Sequence, residues 1–361
     1  MKDKKVLIFS HEYPPCLGGA ATVALTLYNG LKKIGYSTFV LTSKRSGLYK
    51  SNEVFVNKYP PQTWFLSYVF WLKLNHKKFD TIICNDPAAI YNAGKYFSDD
   101  ILNKTICFIH GEEKYLHENK SWLQFIDFKN SFFRAINNSK SIIFVSDYIK
   151  QRYHEFYSLR EKDNQFVIHS GINKSEKKTA FGELKIKSSS LDSPLKFLSV
   201  SRIVKEKGYD KMLAIFTHLS KENIKFTWSI VGDGSYLAEF KQKVALSSVS
   251  DKVKFYGAID RNELPKVYML HDYYILLSEL NESYGLSYLE AASFGLIPIG
   301  YNRCGILEAF NYITQGLLLN INNDFSSLGD EILSYLKVAK GEDTKCLRFE
   351  EDFLMEVERH V

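Results

Sequence analysis

Residues 278–299 read S-E-L-N-E-S-Y-G-L-S-Y-L-E-A-A-S-F-G-L-I-P-I. The apolar run Tyr273–Leu277 leads into them, and a helix-like run closes at Gly295. Strand, loop and helix N-terminus, in that order, form the unit on which α/β proteins bind anions. The first-turn amides lack intrahelical acceptors there, and the helix dipole favours negative charge. The spacing predicts that the amides of Gly285, Leu286 and Ser287 face a phosphate. Glu282 then sits in the loop before them, and Glu290, about one turn further in, is placed to reach a sugar hydroxyl. The plainer alternative is a pair of solvated glutamates flanking an ordinary turn, and this stretch by itself leaves both open.

Outward from this stretch, short apolar strands alternate with amphipathic helices, the pattern of a doubly wound α/β fold. In the second half strands are predicted at 196–201, 227–231, 253–256, 273–277, 297–300 and 317–319. In the first half they are predicted at 6–9, 38–41, 81–84, 105–109, 141–145 and 165–168, with helices such as 21–34 and 122–136 between them. Residues 174–194, with Lys, Ser and Gly but few apolar side chains, break the rhythm and read as a linker. The expected organisation is a first α/β domain over 1–173, a second over 195–340, and a segment 341–361 that returns to the first. Two such halves predict a ligand-binding cleft.

Composition sets the class. With 361 residues, 45% hydrophobic and 24% charged, the chain has the size of two ordinary globular domains. The cysteines Cys16, Cys84, Cys107, Cys304 and Cys346 are scattered, without C-x-x-C or zinc spacing, which argues against a disulfide framework or a structural metal. The apolar run Val6–Phe9 is too short for a signal peptide, and Trp64–Leu74 is too short to span a bilayer. A cytoplasmic location is expected.

Charge is uneven. Residues 1–180 carry 26 Lys and Arg against 16 Asp and Glu, while the remainder carries 21 against 25. That asymmetry points to an anionic partner for the first half (a membrane surface, lipid phosphates or nucleic acid) or simply to a solvated lysine-rich face. The aromatic-rich stretch Trp64–Lys78 ends in a basic cluster and has two readings: a helix packed on the sheet, or one lying in a membrane interface.

Four further elements follow predicted strands. Gly18-Gly19 precedes a helix and allows close backbone approach to a ligand. His110 lies at the carboxyl edge of the sheet, where ligands bind and where a histidine can donate to a hydroxyl or carbonyl. In Ser201–Gly208, Arg202 and Lys207 stand five residues apart around a loop, a pairing suited to a diphosphate. Val231–Gly234 reads V-G-D-G, yet Leu237 stands where a dinucleotide fingerprint needs glycine, so a tight turn is predicted instead.

Taken in order, these elements resemble the retaining glycosyltransferases of family four, which have the GT-B fold. The resemblance runs over nearly the whole chain. It comprises P-P-x-x-G-G at Pro14–Gly19, Asp86-Pro87, His110, V-I-H-S-G-I-N at Val167–Asn173 and S-R-x-x-x-E-K-G at Ser201–Gly208. It continues with V-G-D-G and with Glu282 and Glu290, followed by G-x-I-P at Gly295–Pro298. The implied fold class is α/β, two Rossmann-like domains facing each other across a cleft.

The implied donor is a nucleotide sugar held mainly by the second domain. Arg202 and Lys207 would neutralise its diphosphate, Glu290 would take the ribose hydroxyls, and the amides of Gly285, Leu286 and Ser287 would lie near the phosphates. Gly18 and Gly19 would approach the diphosphate from the first domain. Glu282, near the donor sugar, and His110, in contact with it, are the implied catalytic residues. No metal and no cofactor is expected, and the anomeric configuration would be retained.

The implied acceptor is a lipid-linked or surface-polysaccharide glycan of the O-antigen, lipopolysaccharide or capsule kind. The inner face of an anionic membrane is an expected partner and nucleic acid is not. Alternatives are synthesis of a soluble glycoside or disaccharide, and a catalytically silent nucleotide-binding scaffold. The family's E-G-F-G is E-S-Y-G here, and Asn173 stands where aspartate is common.

Overall fold

The computed structural model describes residues 4–15, 18–43, 52–56, 64–118, 120–173, 193–337 and 347–361. They form two compact units, one of Met1–Ser170 with Glu350–Val361 and one of Gly171–Phe349. Residues 174–192 of the expected linker and 341–346 of the closing segment lie outside the described residues.

The first unit is built on strands β1 (Lys5–Phe9), β2 (Ser37–Ser43), β3 (Glu53–Val56), β4 (Thr81–Cys84), β5 (Thr105–Ile109), β6 (Ser141–Phe144) and β7 (Gln165–Val167). They pair in parallel in the order β3-β2-β1-β4-β5-β6-β7. The near-continuous apolar strands reflect burial on both faces. Successive side chains alternate between those faces. Leu7, Phe9, Ile82 and Cys84 pack beneath the helices Trp64–Asn75, Pro87–Tyr96, Phe128–Asn138 and Asp147–Tyr157. Val6, Ile8 and Ile83 pack beneath Gly19–Ile34 and the closing helix Glu350–Glu358. That helix is pinned by Thr26 Oγ1 donating to Glu350 Oε1 at 2.9 Å and by Thr81 Oγ1 donating to the Val361 carbonyl at 3.0 Å.

The second unit repeats the plan with β8 (Leu195–Val200), β9 (Phe226–Val231), β10 (Val253–Gly257), β11 (Tyr273–Ile275), β12 (Ile297–Tyr301) and β13 (Leu317–Leu319). The order is β10-β9-β8-β11-β12-β13, again all parallel. Its core is aromatic. Trp228, fully buried, lies 4.6 Å from Phe216 between ring centroids, and its Nε1 donates to Ser199 Oγ at 2.9 Å.

In both sheets the chain starts at a central strand, winds out to one side, then crosses to the other. The loops after β1 and β4 therefore diverge, as do those after β8 and β11. Each pair leaves a crevice at the carboxyl edge, the usual ligand position in open α/β sheets.

Two differences from the sequence reading concern local structure. Edge strand β3 went unpredicted. The helix expected over 122–136 is two helices, Ser121–Phe125 and Phe128–Asn138, separated by Asp127 in the left-handed region at φ 56°. The break lets Leu123 and Phe128 both turn into the core, which one straight helix would not allow.

Candidate active site

In the second unit the switch point lies between β8 and β11, and two backbone contacts fix the loops that leave it. Gly208 has φ 76°, and a Cβ added there would stand 1.9 Å from the Leu277 carbonyl oxygen. Glu279 N donates to the Glu206 carbonyl at 2.8 Å. This close approach brings Lys207, from the loop after β8, onto Glu282, from the loop after β11. Nζ to Oε1 is 2.5 Å, with the two side chains 15% and 20% exposed. Ser278, wholly buried, donates its hydroxyl to the same Oε1 at 2.6 Å. At 15–20% exposure a pair like this is only partly screened by solvent, so its partners hold a defined geometry.

A third loop clamps the second. Gly305 N donates to the Glu282 carbonyl at 3.0 Å, and Arg303 reaches the Glu279 carbonyl at 3.1 Å and Asn281 Oδ1 at 2.8 Å. Directly after this braced loop, Gly285 takes the left-handed conformation at φ 92° as N-cap of the helix Leu286–Ser293. The first-turn amides of Leu286 and Ser287 have no intrahelical acceptor. Glu290 projects from that helix, with Oε1 3.5 Å from the Arg261 guanidinium and Oε2 3.5 Å from the Tyr268 hydroxyl. Arg202 stands at the start of the loop after β8 with its side chain exposed.

The glycines of V-G-D-G serve the fold. A Cβ on Gly232 would lie 1.9 Å from the Ser201 carbonyl oxygen, and one on Gly234 2.2 Å from that of Ile203. The turn packs against the loop carrying Arg202, as a tight turn should.

In the first unit Asn85 and Asp86 organise the switch point between β1 and β4. Asp86 caps the helix Pro87–Tyr96 by accepting from Ala89 N at 2.9 Å, and also accepts from Glu12 N at 2.8 Å and Ser10 Oγ at 3.0 Å. Burial outweighs these bonds and pushes its carboxyl up to about 6. Asn85 donates to Ser10 Oγ at 3.1 Å and to the Ala20 carbonyl at 2.8 Å, which turns its Oδ1 toward His110 Nε2, 3.1 Å away. On that orientation Nε2 carries the hydrogen and Nδ1 is the acceptor. Burial holds His110 down at about 4, so near neutral pH the ring is uncharged. The sequence reading gave His110 a donor role; its neighbours assign the donor nitrogen to Asn85 and leave the acceptor.

Gly18 and Gly19 open the helix Gly19–Ile34 beside this cluster. A Cβ on Gly19 would meet nothing within 4 Å, and one on Gly18 only Glu12 Oε2 at 3.5 Å. Among the described residues of the first unit, packing therefore gives no steric reason for glycine at either position.

Of the residues singled out in the sequence, Lys207, Glu282, Gly285, Leu286 and Ser287 form one continuous arrangement in the second unit. Glu290 follows on the same helix, and Arg202 precedes Lys207 on the same loop. Gly18, Gly19 and His110 belong to the first unit, where Asn85 connects His110 to Ala20. Sequence reasoning missed Ser278, Arg261, Arg303 and Asn85. Asn85, next to the Asp86-Pro87 pair, was the most readily found.

Residues 17–176 match the family described as Glycosyltransferase Family 4, and residues 181–346 that described as Glycosyl transferases group 1. Together they span most of the chain. The chain is a glycosyltransferase.

Solved structures agree on the GT-B fold of this glycosyltransferase. Anabaena HepE in complex with UDP and glucose superposes with a TM-score of 0.70 at 15% identity, covering 99% of this chain and 95% of that one. WaaG, a glycosyltransferase involved in lipopolysaccharide biosynthesis, superposes at 0.65 and 14% identity, with 98% and 94% covered. Among curated relatives, the alpha-monoglucosyldiacylglycerol synthase of Streptococcus pneumoniae is 24% identical over 83% of this chain and 71% of its own length. The N-acetyl-alpha-D-glucosaminyl L-malate synthase of Bacillus anthracis is 25% identical over 90% and 86%.

Proposed function

We propose that the chain transfers a hexosyl group from a nucleotide sugar, with retention and without a metal, to a lipid-linked or surface-polysaccharide glycan. The reading rests above all on Lys207 held against Glu282, in the loop that leads directly into the helix opened by the Leu286 and Ser287 amides. Lys207 and Arg202 supply positive charge for the diphosphate, and the amides of Gly285, Leu286 and Ser287 supply donors. Glu290 takes the ribose hydroxyls. Gly18 and Gly19, with little packed where a side chain would stand, leave a helix N-terminus of the first unit open to close backbone approach by a ligand.

In the transfer, the bond between the anomeric carbon and the β-phosphate oxygen breaks and a bond to the acceptor oxygen forms on the same face. The acceptor's proton leaves with the departing diphosphate. Negative charge grows on that phosphate, where the helix amides already in place and Lys207, turned from Glu282 as the donor binds, stabilise it. Glu282, once Lys207 turns to phosphate, is free to hold the donor sugar. Neutral His110, at the carboxyl edge of the first unit's sheet, offers Nδ1 as an acceptor to a hydroxyl bound in that unit's crevice.

The lipid-linked acceptor is supported by relatives such as the diacylglycerol-modifying synthase and by the basic first half of the chain. Peripheral attachment at the inner face of a membrane follows from that acceptor. No helix among the described residues is long and apolar enough to cross a membrane. A soluble acceptor is the competing reading, since other relatives are named for 2-deoxystreptamine and L-malate.

The test is to incubate the enzyme with UDP-, GDP- and dTDP-hexoses and undecaprenyl-linked or small soluble acceptors, with chelator in one arm and added divalent metal in the other, reading the new anomeric signal by NMR. Transfer with the donor's configuration supports the reading. Inversion, or transfer only with added divalent metal, overturns it, and a preference for the soluble acceptor replaces the lipid-linked half.

A further inference from the structure

The helix Trp64–Asn75 is apolar on nearly every side, yet the fold covers only part of it. Tyr68, Val69 and Leu72 are buried, with Tyr68 edge-on to Phe9 at 4.8 Å and its hydroxyl 2.9 Å from His11 Nδ1. On the outer side Leu66, Phe70 and Leu74, spaced at i, i+4 and i+8, are 50%, 71% and 67% exposed. That spacing makes them one stripe along the helix.

Two further observations say what covers the stripe. First, residues 64–79 hold Lys73, Lys77 and Lys78 and no carboxylate. All three lysines are exposed, and among the described residues neither Lys73 nor Lys77 has an ion-pair partner. Second, exposed apolar side chains are concentrated on one side of the first unit. Leu66, Phe70, Leu74, Tyr115, Trp122 and Phe125 all belong to elements packed on the same face of the sheet. Among the described residues of this unit only Met355 is a large exposed apolar side chain on the opposite layer. Scattered surface leucines need no explanation, but a one-sided concentration beside unpaired lysines does.

We propose that the outer face of Trp64–Asn75 docks onto an anionic lipid surface, with Leu66, Phe70 and Leu74 inserted among the acyl chains and Lys73, Lys77 and Lys78 at the headgroups. Apolar insertion and lysine–headgroup attraction are the two components of interfacial helix binding. Uncharged burial against a second protein would leave the lysines without counter-charge. The contact of Tyr68 with His11 ties the docked helix to the loop after β1, so the membrane would sit next to the crevice of the first unit, where a lipid-anchored acceptor arrives. The inference deepens the lipid-linked acceptor reading, and vesicle binding is read apart from turnover, so either can fail alone.

The full chain is sedimented with vesicles of phosphatidylcholine alone and of phosphatidylcholine mixed with phosphatidylglycerol, at low and high salt. Binding is expected only to the mixed vesicles and should weaken with salt. Phe70→Glu with Leu74→Glu should lower the partition coefficient by about tenfold or more. Lys77→Gln with Lys78→Gln should lower it roughly fivefold per lysine. Met355→Glu, on the opposite layer, should leave it unchanged, as should melting temperature and turnover on a soluble acceptor in all three variants.

The proposal is overturned if the parent chain ignores the mixed vesicles. It is overturned equally if the Phe70 and Leu74 substitutions leave vesicle binding intact. Concentration-dependent self-association that those substitutions abolish, without vesicle binding, would assign the face to a second copy and also overturn it.

Discussion

Gly208→Ala is the sharpest test of how the second unit assembles its site. Gly208 lies at φ 76°, and the added methyl would stand 1.9 Å from the Leu277 oxygen and 2.7 Å from its carbon. Left-handed backbone costs an alanine about 1–2 kcal/mol. A clash with main chain cannot be relieved by a rotamer change, so the loops after β8 and β11 must part, straining the Glu279–Glu206 bond and adding about 1–3 kcal/mol. The sum is about 2–5 kcal/mol. Gly257 is the matched control, because its φ is 70° and a Cβ there meets nothing within 4 Å. Gly257→Ala should therefore cost only the strain, about 1–2 kcal/mol.

Urea denaturation of both variants reads the difference, and sugar transfer below the transition reads the function. Parting the loops draws Lys207 from Glu282, so Gly208→Ala should lose turnover while folded and Gly257→Ala should keep it. Equal destabilisation of the two, or full turnover in Gly208→Ala, would refute the view that this contact sets the ion pair.

Other expectations follow from the same geometry. Lys207→Met should lower kcat by about 10²–10³, the usual loss when one transition-state donor is removed, measured at saturating donor. Glu113 is pushed up to about 8, chiefly by burial and then by Asp86 and Glu12. Its folded value exceeds its ordinary 4.5, so its contribution is full below 4.5 and lost as pH rises toward 8. Glu113→Gln should then gain melting temperature relative to the parent as pH rises through that window. For His110 the sign reverses: its contribution is full above 6.5 and lost as pH falls toward 4. His110→Asn should flatten the acid side of the melting-temperature profile, and the parent's pH–rate profile should show no histidine limb near neutrality.

Much of this was legible in the chain. Parallel strands buried on both faces leave long apolar runs, which is why Ile82, Cys107 and Ile230 announced their strands. The short edge strand Glu53–Val56 has no such run and was missed. The break at Asp127 was hidden because its flanks share one apolar pattern, and only tertiary packing demands the turn between Leu123 and Phe128. Within the site, glycines carried two meanings that spacing alone could not separate. Gly208, Gly232 and Gly234 make room for neighbouring backbone, whereas Gly18 and Gly19 make room for no backbone among the described residues of their unit. Ser278 was invisible, being one serine among many until burial placed its hydroxyl on Glu282. The helix at Trp64 divided its two sequence readings, with one side packed on the sheet and the other bare.

On the proposed function, Lys207 and the Leu286 and Ser287 amides receive the donor's diphosphate. Calorimetric titration of UDP, GDP and dTDP into the parent chain, Lys207→Met and Gly257→Ala tests it most directly. One nucleotide should bind the parent and Gly257→Ala alike and bind Lys207→Met at least about tenfold more weakly. Equal affinity for the parent and Lys207→Met, or no binding of any of the three to the parent, would contradict it.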